Sequence, residues 1–262
     1  MSANTEGVTN DRLSDVSKRL MRAADRLSRQ VSKLRFAEPV THVYNPLEYA
    51  RSLHHQYLRM ASSDCRVLFL GMNPGPWGMA QTGVPFGEVT AVRRWLGIGG
   101  DVERPKIEHP KRPIEGLQCG RSEVSGRRLW GLMEDHFGTA ESFFRHHFVV
   151  NYCPLVFMES SGRNRTPDKL PAVERDLLRE ICDEHLRGVL GILGCHHLVG
   201  VGVYAEQCLK RVAEQLSDRK RSPPAEFQIV RILHPSPASP AANRNWAGSA
   251  VEQLRAAGIW QS

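Results

Sequence analysis

Four short runs of almost continuous apolar residues alternate with longer stretches of helical periodicity, and this alternation limits the fold more than any other feature of the chain. Runs of this kind are typical of parallel strands that are covered on both faces. The pattern predicts an α/β fold, a three-layer α/β/α sandwich around a four-stranded parallel sheet. The predicted strands are 66–71, 147–152, 197–202 and 228–233, and the predicted helices between and after them lie near 125–137, 172–190, 203–217 and 246–257.

Two further helices are predicted before the first strand. Asn45, Pro46 and Glu48 have the order of a capped helix start, and that helix runs to about residue 60. Apolar residues at helical spacing predict an earlier helix over 11–35, whose other face is rich in Arg and Lys. We expect its apolar stripe to pack on the domain, and a helix that contacts a membrane surface or DNA is the alternative. The first ten residues are polar and are expected to be disordered.

The chain is strongly basic, with a formal net charge of +7 over 262 residues. An excess of this size favours a polyanionic partner, usually nucleic acid and less often a membrane surface, over a merely basic soluble protein. No apolar run reaches the roughly 18 residues that a membrane-spanning helix needs, and the N-terminus lacks a signal-peptide core. The six cysteines include no short-spaced pair, so we expect reduced thiols without a disulfide framework or a metal site. These features predict an intracellular protein, in the cytoplasm or nucleoid of a bacterium or the nucleus of a eukaryote.

Polar residues stand at the ends of three predicted strands. Asn73 follows the first strand, Asn151 ends the second, and His234 follows the fourth. Ligands of open α/β sheets bind beyond the carboxyl ends of the strands. Each residue alone has a structural explanation, because Asn caps turns and His is often satisfied in a core. Their shared position predicts one crevice in which all three meet.

A long segment, 99–121, is rich in Pro, Gly and basic residues, and loops of this length inside a domain are usually functional or disordered. Its basic side chains, and the run Arg219-Lys220-Arg221 in a later loop, are candidates for phosphate contacts or simply solvated surface. In the long segment the candidates are Arg104, Lys106, Lys111 and Arg112.

Several common chemistries are excluded by their missing motifs. The chain has no Gly-Lys-Ser/Thr phosphate loop, no Gly-x-Ser-x-Gly nucleophile elbow and no His-Glu-x-x-His zinc helix. Its paired histidines are adjacent in sequence, so their side chains point apart on a strand or a helix and make poor joint metal ligands. The loop after His234 contains three prolines and is therefore stiff.

Three motifs together resemble the single-strand-selective monofunctional uracil-DNA glycosylases. They are "GMNPGPWGMAQTGVPFGE" (71–88), "NYCPLVF" (151–157) and "HPSPASP" (234–240). The likeness extends from "VYNPLEYA" (43–50) through "HPKRP" (109–113), "SEVSG" (122–126) and "SGRNRTP" (161–167) to "NRNW" (243–246). It leaves residues 1–42 as an N-terminal extension and implies a glycosylase domain over 43–262.

The resemblance implies roles for the residues of these motifs. Asn73 would position the attacking water and His234 would stabilise the departing base. Phe86 would stack on the flipped base, and Asn151 would read its edge. Met72, Gly75 and Met79 would line the base pocket, and the DNA contacts would come from Pro235, Ser236, Pro237, Ala238, Ser239, Lys111 and Arg112.

The same resemblance implies base excision that needs no metal and no cofactor and includes no lyase step. The partner would be DNA, single-stranded or duplex, with no membrane, and we expect a monomer. Two residues depart from the family: Trp77 stands where Phe is frequent, and Ala238 stands where a relative can carry Arg. The alternatives are a non-catalytic single-stranded DNA binder on the same fold and a glycosylase for deaminated purines.

Overall fold

The computed structural model describes residues 14–217 and 226–261 and contains a parallel and an antiparallel sheet. Its strands are β1 (His42–Tyr44), β2 (Val67–Gly71), β3 (His147–Asn151), β4 (Val156–Met158), β5 (Asn164–Arg165), β6 (His197–Val201) and β7 (Gln228–Ile232). The parallel sheet has the order β3-β2-β6-β7, and the smaller antiparallel sheet has the order β1-β4-β5. Every predicted strand is therefore present, with its ends within a residue of the predicted ones.

Helices cover both faces of the parallel sheet. They are α1 (Asp15–Val31), α2 (Pro46–Tyr49), α3 (Arg51–Arg59), α4 (Met79–Thr82), α5 (Val89–Arg94), α6 (Val124–Phe137), α7 (Ala140–Phe144), α8 (Ala172–Leu193), α9 (Val203–Ser217) and α10 (Pro240–Ala256). One group consists of α8 and α9, with α1 packed on α8, and the other of α6 with α7 and α10. The connection from β2 to β3 and the connection from β3 to β6 run in opposite directions across the sheet. Because both crossovers are right-handed, their helices lie on opposite faces of the sheet. The predicted three-layer sandwich is confirmed.

The apolar stripe of α1 packs on the domain. Leu20, Ala24 and Leu27 are buried in the same apolar core as Leu53 and Tyr57 of α3. Full burial of one leucine side chain stabilises the fold by about 1.5–3 kcal/mol. The helix is therefore held by its apolar face, while the division of the chain at residue 42 stays a prediction.

Two predicted helices differ in detail from the observed ones. The helix predicted from 45 to 60 is divided into α2 and α3, because Ala50 has non-helical backbone angles, φ −108° and ψ 25°. The last helix begins at Pro240 rather than near 246. Its helical angles are interrupted at Asn245 (φ −162°, ψ 75°), so the periodicity marks only the part that follows the interruption. The small sheet was not predicted, because strands of two or three residues have too little periodicity to detect.

The six cysteines are free and buried. Within the described ranges, no helix combines the length and the apolar character that crossing a bilayer requires. The polar first ten residues and the run Arg219-Lys220-Arg221 lie outside the described residues.

The parallel register brings the ends of the strands to one edge. Gly71 of β2 pairs with Asn151 of β3, and Val201 of β6 pairs with Ile232 of β7. The segments that follow β2, β3 and β7 therefore leave the sheet side by side, and the candidate site lies there.

Candidate active site

Asn73 presents a free oxygen because its amide nitrogen is bound. The Asn73 Nδ2 donates to the carbonyl oxygen of Leu155 at 3.2 Å and lies 3.5 Å from that of Pro74. A carbonyl oxygen accepts only from the nitrogen end of an amide, so this contact fixes the amide orientation. The Cys153 N–H donates to the Met72 carbonyl at 2.9 Å and holds the two segments together. The Oδ1 of Asn73 remains available to accept a hydrogen bond from a water molecule.

The glycines of the Asn73 loop make room for a carboxyl group. A Cβ atom at Gly75 or Gly78 would lie 2.3 or 2.2 Å from Glu123 Oε2. That oxygen is buried and has no hydrogen-bond partner, although other atoms of the residue reach solvent. Burial, and next the nearby charge of Glu88, raise the pKa of Glu123 to about 7. The sequence motif "SEVSG" contains this glutamate, but nothing in it indicated a place under the loop.

Asn151 offers a buried acceptor that the protein does not use. Its Nδ2 lies 3.2 Å from the Met79 sulfur, a weak acceptor. Its Oδ1 is buried and has no partner. A Cβ atom at Gly71 would lie 2.2 Å from this oxygen and 2.5 Å from Phe86 Cε2, so glycine is required where the two side chains meet. An unpaired buried acceptor costs about 1–3 kcal/mol, which a ligand N–H would recover.

Phe86 has a strained backbone conformation beside this acceptor. Its φ of 53° is left-handed, which is rare for an aromatic residue and costs of order 1–3 kcal/mol. Helix α6 holds the turn in place: Trp130 Nε1 donates to the Pro85 carbonyl at 3.2 Å, and a Cβ at Gly126 would lie 2.1 Å from the Phe86 oxygen. The ring is 6% exposed and faces the His234 ring with centroids 6.3 Å apart. Strain held by the surrounding structure is typical of a binding site.

His234 is held as a neutral hydrogen-bond donor. The Ser236 N–H donates to its Nδ1 at 3.1 Å, so the proton of the neutral ring is on Nε2. Burial lowers the pKa of His234, which keeps the ring neutral at physiological pH. Gly202, with φ 91°, lies against the other side of the residue, where a Cβ would be 3.1 Å from His234 Cβ.

The proline-rich loop after His234 is bound to α6 by one arginine. Arg128 Nη1 donates to the Pro235 carbonyl and Nη2 to Asn243 Oδ1, both at 3.0 Å. Asn243 Nδ2 in turn donates to the Pro237 carbonyl at 2.8 Å. Pro237 and Ala238 form the exposed tip of the loop. The loop is therefore held at its base and projects at its tip. No motif in the sequence indicated the role of Arg128.

The two basic candidates of "HPKRP" lie beside the Asn73 loop. The Tyr44 hydroxyl accepts from the His109 N–H at 2.7 Å and donates to the Arg112 carbonyl at 2.8 Å, which orders the segment. The Arg112 guanidinium lies over the Trp77 ring, 5.1 Å from its centroid, and Lys111 is exposed next to it.

Arg104 and Lys106 do not join the other candidates. Arg104 is 3.5 Å from Glu108, and both basic residues border a groove beside the segment after α1. Side-chain contacts bring together Met79, Phe86, Asn151 and His234. Asn73 lies two residues after Gly71, which touches Asn151 and Phe86, and Met72 and Gly75 belong to the same loop. In the described ranges, no group of three or more His, Cys, Asp or Glu side chains is arranged to hold a metal ion.

Comparison with known proteins agrees on one family. The model of the uracil DNA glycosylase superfamily matches residues 59–255. A single-strand selective monofunctional uracil-DNA glycosylase from Rattus norvegicus is 51% identical over 235 residues, which cover 89% of this chain and 82% of the relative. The protein of that name from Bos taurus is 50% identical over 235 residues, covering 89% of this chain and 84% of the relative. The crystal structure of SMUG2 from Pedobacter heparinus shares the fold, with a TM-score of 0.62, 19% identity and coverage of 91% of this chain and 99% of that one.

Proposed function

Because this chain belongs to the single-strand-selective monofunctional uracil-DNA glycosylases of the uracil DNA glycosylase superfamily, we propose that it is a DNA repair enzyme that flips uracil out of DNA and hydrolyses its N-glycosidic bond. The product is an abasic site. The observation that carries the proposal is the unpaired, buried Oδ1 of Asn151 beside the Phe86 ring, which in turn faces His234.

Asn151 has the polarity that uracil recognition needs. Uracil offers an N3–H donor and an O4 acceptor, and the free Oδ1 accepts from the first while Nδ2 donates to the second. Cytosine presents the opposite pattern and leaves both amide groups unpaired. A bidentate pair of this kind is worth about 1–3 kcal/mol of discrimination. The Phe86 ring supplies the stacking surface for the flipped base.

His234 stabilises the leaving group. Negative charge grows on uracil O2 as the glycosidic bond breaks, and the Nε2–H is the donor that meets it. A preorganised donor of this kind is worth about 2.7–4 kcal/mol in the transition state. Because burial lowers the pKa of His234, the neutral form is favoured, and it donates from Nε2 without gaining a proton first.

An asparagine is enough to position the attacking water, because the base leaves as a stabilised anion. Bond breaking runs ahead of water attack, so the water needs orientation more than it needs a strong base. The Oδ1 of Asn73 accepts one water hydrogen and aims the oxygen at the sugar C1′. The contact to Leu155 keeps this oxygen from rotating away.

Uracils with a small C5 substituent are further substrates in this proposal. This part of the proposal rests on the family, whose members accept 5-hydroxymethyluracil, and that base is the expected second substrate. A cavity of about 30 Å³ borders Met79, Pro85 and Asn151, but the rest of its lining is mostly core residues of α1, α3 and α8, so it belongs to the core between these helices and the sheet.

DNA binding in this proposal combines phosphate contacts with the loop after His234, whose tip enters the space that the flipped base leaves. Lys111 and Arg112 lie beside the first loop, and their charges bind the backbone without reading sequence. The exposed tip carries Ala238, whose methyl group fills little of the gap left by a flipped base. Unstacking costs a few kcal/mol in a duplex and less in a single strand. Single-stranded DNA is therefore the preferred substrate, and duplex DNA the slower one.

The test uses a single-stranded oligonucleotide with one uracil, incubated with the protein in EDTA and then heated in alkali. We expect cleavage at the uracil, lost in Asn73→Ala and His234→Ala. His196→Ala is the matched control, because His196 is exposed at the opposite end of β6 and should leave cleavage unchanged.

Other outcomes separate the alternatives. A strand break without alkali would mean a lyase step and contradict the monofunctional proposal. Salt-sensitive binding without cleavage would favour a non-catalytic single-stranded DNA binder. Cleavage at a deaminated purine but not at uracil would favour the purine glycosylase.

A further inference from the structure

Two arginines converge on one indole at the rim of the candidate active site. Arg121 Cζ lies 4.4 Å from the Trp77 ring centroid, and Arg112 Cζ lies 5.1 Å from it. Trp77 belongs to the same loop as Asn73, so both guanidinium groups lie against the loop that carries Asn73. This arrangement depends on the tryptophan that distinguishes the first loop of this chain.

Neither guanidinium is neutralised by the protein. In the described part of the chain, no carboxylate oxygen lies within 4.0 Å of either group. Arg112 donates from Nη1 to the Lys111 carbonyl at 2.9 Å, while its Nε is buried without a partner. Arg121 is exposed, and so is Lys111 between the two loops. Positive groups held together without an acid indicate that an anion completes the cluster.

The cluster is ordered before any ligand binds. Tyr44 fixes the backbone on either side of Lys111 through its two hydrogen bonds. Gly162 packs against the same segment, since a Cβ there would lie 3.3 Å from Lys111 Cβ and in ordinary contact with Arg112 Cζ at 3.6 Å. The Trp77 ring restricts both guanidinium groups by cation–π contact. A ligand therefore meets side chains that have already lost much of their freedom.

We propose that Trp77, Arg112 and Arg121 form a phosphate-binding site for the DNA strand that carries the target base. The proposal rests on the proposed function of the neighbouring pocket and adds a specific anchor to it. Guanidinium groups match phosphate oxygens with paired N–H donors. Phosphates are the only anions that repeat along the strand, so a flipped nucleotide brings its neighbours' phosphates to the pocket rim. Trp77 orients the arginines and Arg121 and Arg112 carry the charge.

The test measures binding of a single-stranded oligonucleotide with a stable abasic-site analogue by fluorescence anisotropy at several salt concentrations. Each phosphate contact on single strands contributes about 0.7 to the slope of log K against log salt. Arg121→Gln should therefore reduce the slope by about 0.7 and weaken binding about fivefold at 0.1 M salt. Trp77→Ala should weaken binding while leaving the slope unchanged, because it removes order and no charge, and Trp77→Phe should restore part of the affinity.

Arg255→Gln is the matched control. It removes the same charge from the last turn of α10, at the far edge of the sheet, and should leave slope and affinity unchanged. An unchanged slope in Arg121→Gln, with a thermal unfolding curve like that of the wild type, would overturn the proposal. Uracil excision should be the same in Arg255→Gln and the wild type. If the wild type excises nothing but Arg121→Gln still changes the slope, the proposed function fails and the phosphate site stands.

Discussion

Replacing Glu123 with glutamine removes a carboxyl group that is buried under the Asn73 loop. Its Oε2 has no hydrogen-bond partner and lies where a side chain on Gly75 or Gly78 would be. Burial and the charge of Glu88 raise its pKa to about 7, from 4.5 in an unfolded chain. The glutamine has nearly the same shape and no charge to bury, so the comparison isolates the cost of ionising this group.

The raised pKa of Glu123 determines whether the wild type gains or loses stability as the pH rises. Below pH 4.5 the carboxyl is protonated in both states and costs nothing. As the pH rises toward 7, the unfolded chain releases its proton first, so the wild type loses stability until the folded group also ionises. The full loss of unfolding free energy is about 3 kcal/mol. About 2 kcal/mol of this loss occurs between pH 5.5 and pH 8.5. For a chain of this size that corresponds to a relative shift in Tm of about 4–8 °C.

The assay is thermal unfolding of the wild type and Glu123→Gln at pH 5.5 and pH 8.5. We expect the glutamine variant to gain Tm relative to the wild type as the pH rises. Buried histidines titrate equally in both proteins, so their effect cancels in the difference. Glu252→Gln, on the exposed face of α10, serves as control and should follow the wild type. Parallel Tm curves for Glu123→Gln and the wild type would refute the reasoning.

Three further replacements test the site. Asn151→Ala should lower kcat/KM for uracil about 5- to 150-fold, the equivalent of 1–3 kcal/mol, in a single-turnover excision assay. Arg128→Ala should lower kcat about tenfold or more by freeing the loop after His234, while the neighbouring Arg127→Ala leaves kcat unchanged; equal kcat values would contradict the bridging role. Gly71→Ala should abolish excision because its Cβ overlaps the Asn151 oxygen, whereas Gly131→Ala, in open space on α6, should keep excision and raise the unfolding free energy by up to about 1 kcal/mol.

The central strands of the parallel sheet were predictable because β2 and β6 are buried on both faces, whereas Gln228 and Arg231 are exposed on the edge strand β7. The run Val67–Gly71 is buried at every position. It could therefore be found as a continuous apolar run, without an alternating pattern and without knowledge of the strands that pair with it. The order of the strands in the sheet was not predicted, since it depends on how the crossover helices pack together. The small sheet and the interruption at Asn245 were not predictable, because they arise from pairings and hydrogen bonds between distant or single residues.

The sequence also predicted that Asn73, Asn151 and His234 would lie near one edge, since each follows or ends a strand of the sheet. It did not indicate Glu123 or Arg128. Both act through partners far away in the chain: Glu123 reaches the loop at Gly75, and Arg128 reaches the carbonyl of Pro235. A glutamate or arginine at the start of a helix usually faces solvent, so residue type and spacing could not distinguish these two from surface charges.

The three polar side chains of the site are each held in one orientation by a contact to the rest of the protein. An amide or a neutral imidazole can present either a donor or an acceptor, and each is useful only when one choice is enforced. Asn73 has its nitrogen bound to a carbonyl and so presents oxygen, and Asn151 has its nitrogen against the Met79 sulfur and does the same. His234 has Nδ1 bound to a backbone N–H and so presents the Nε2 proton. Two acceptors and one donor of fixed direction suit a reaction in which a base is read, a water is aimed and a departing anion is stabilised, and none of these steps requires a strong base.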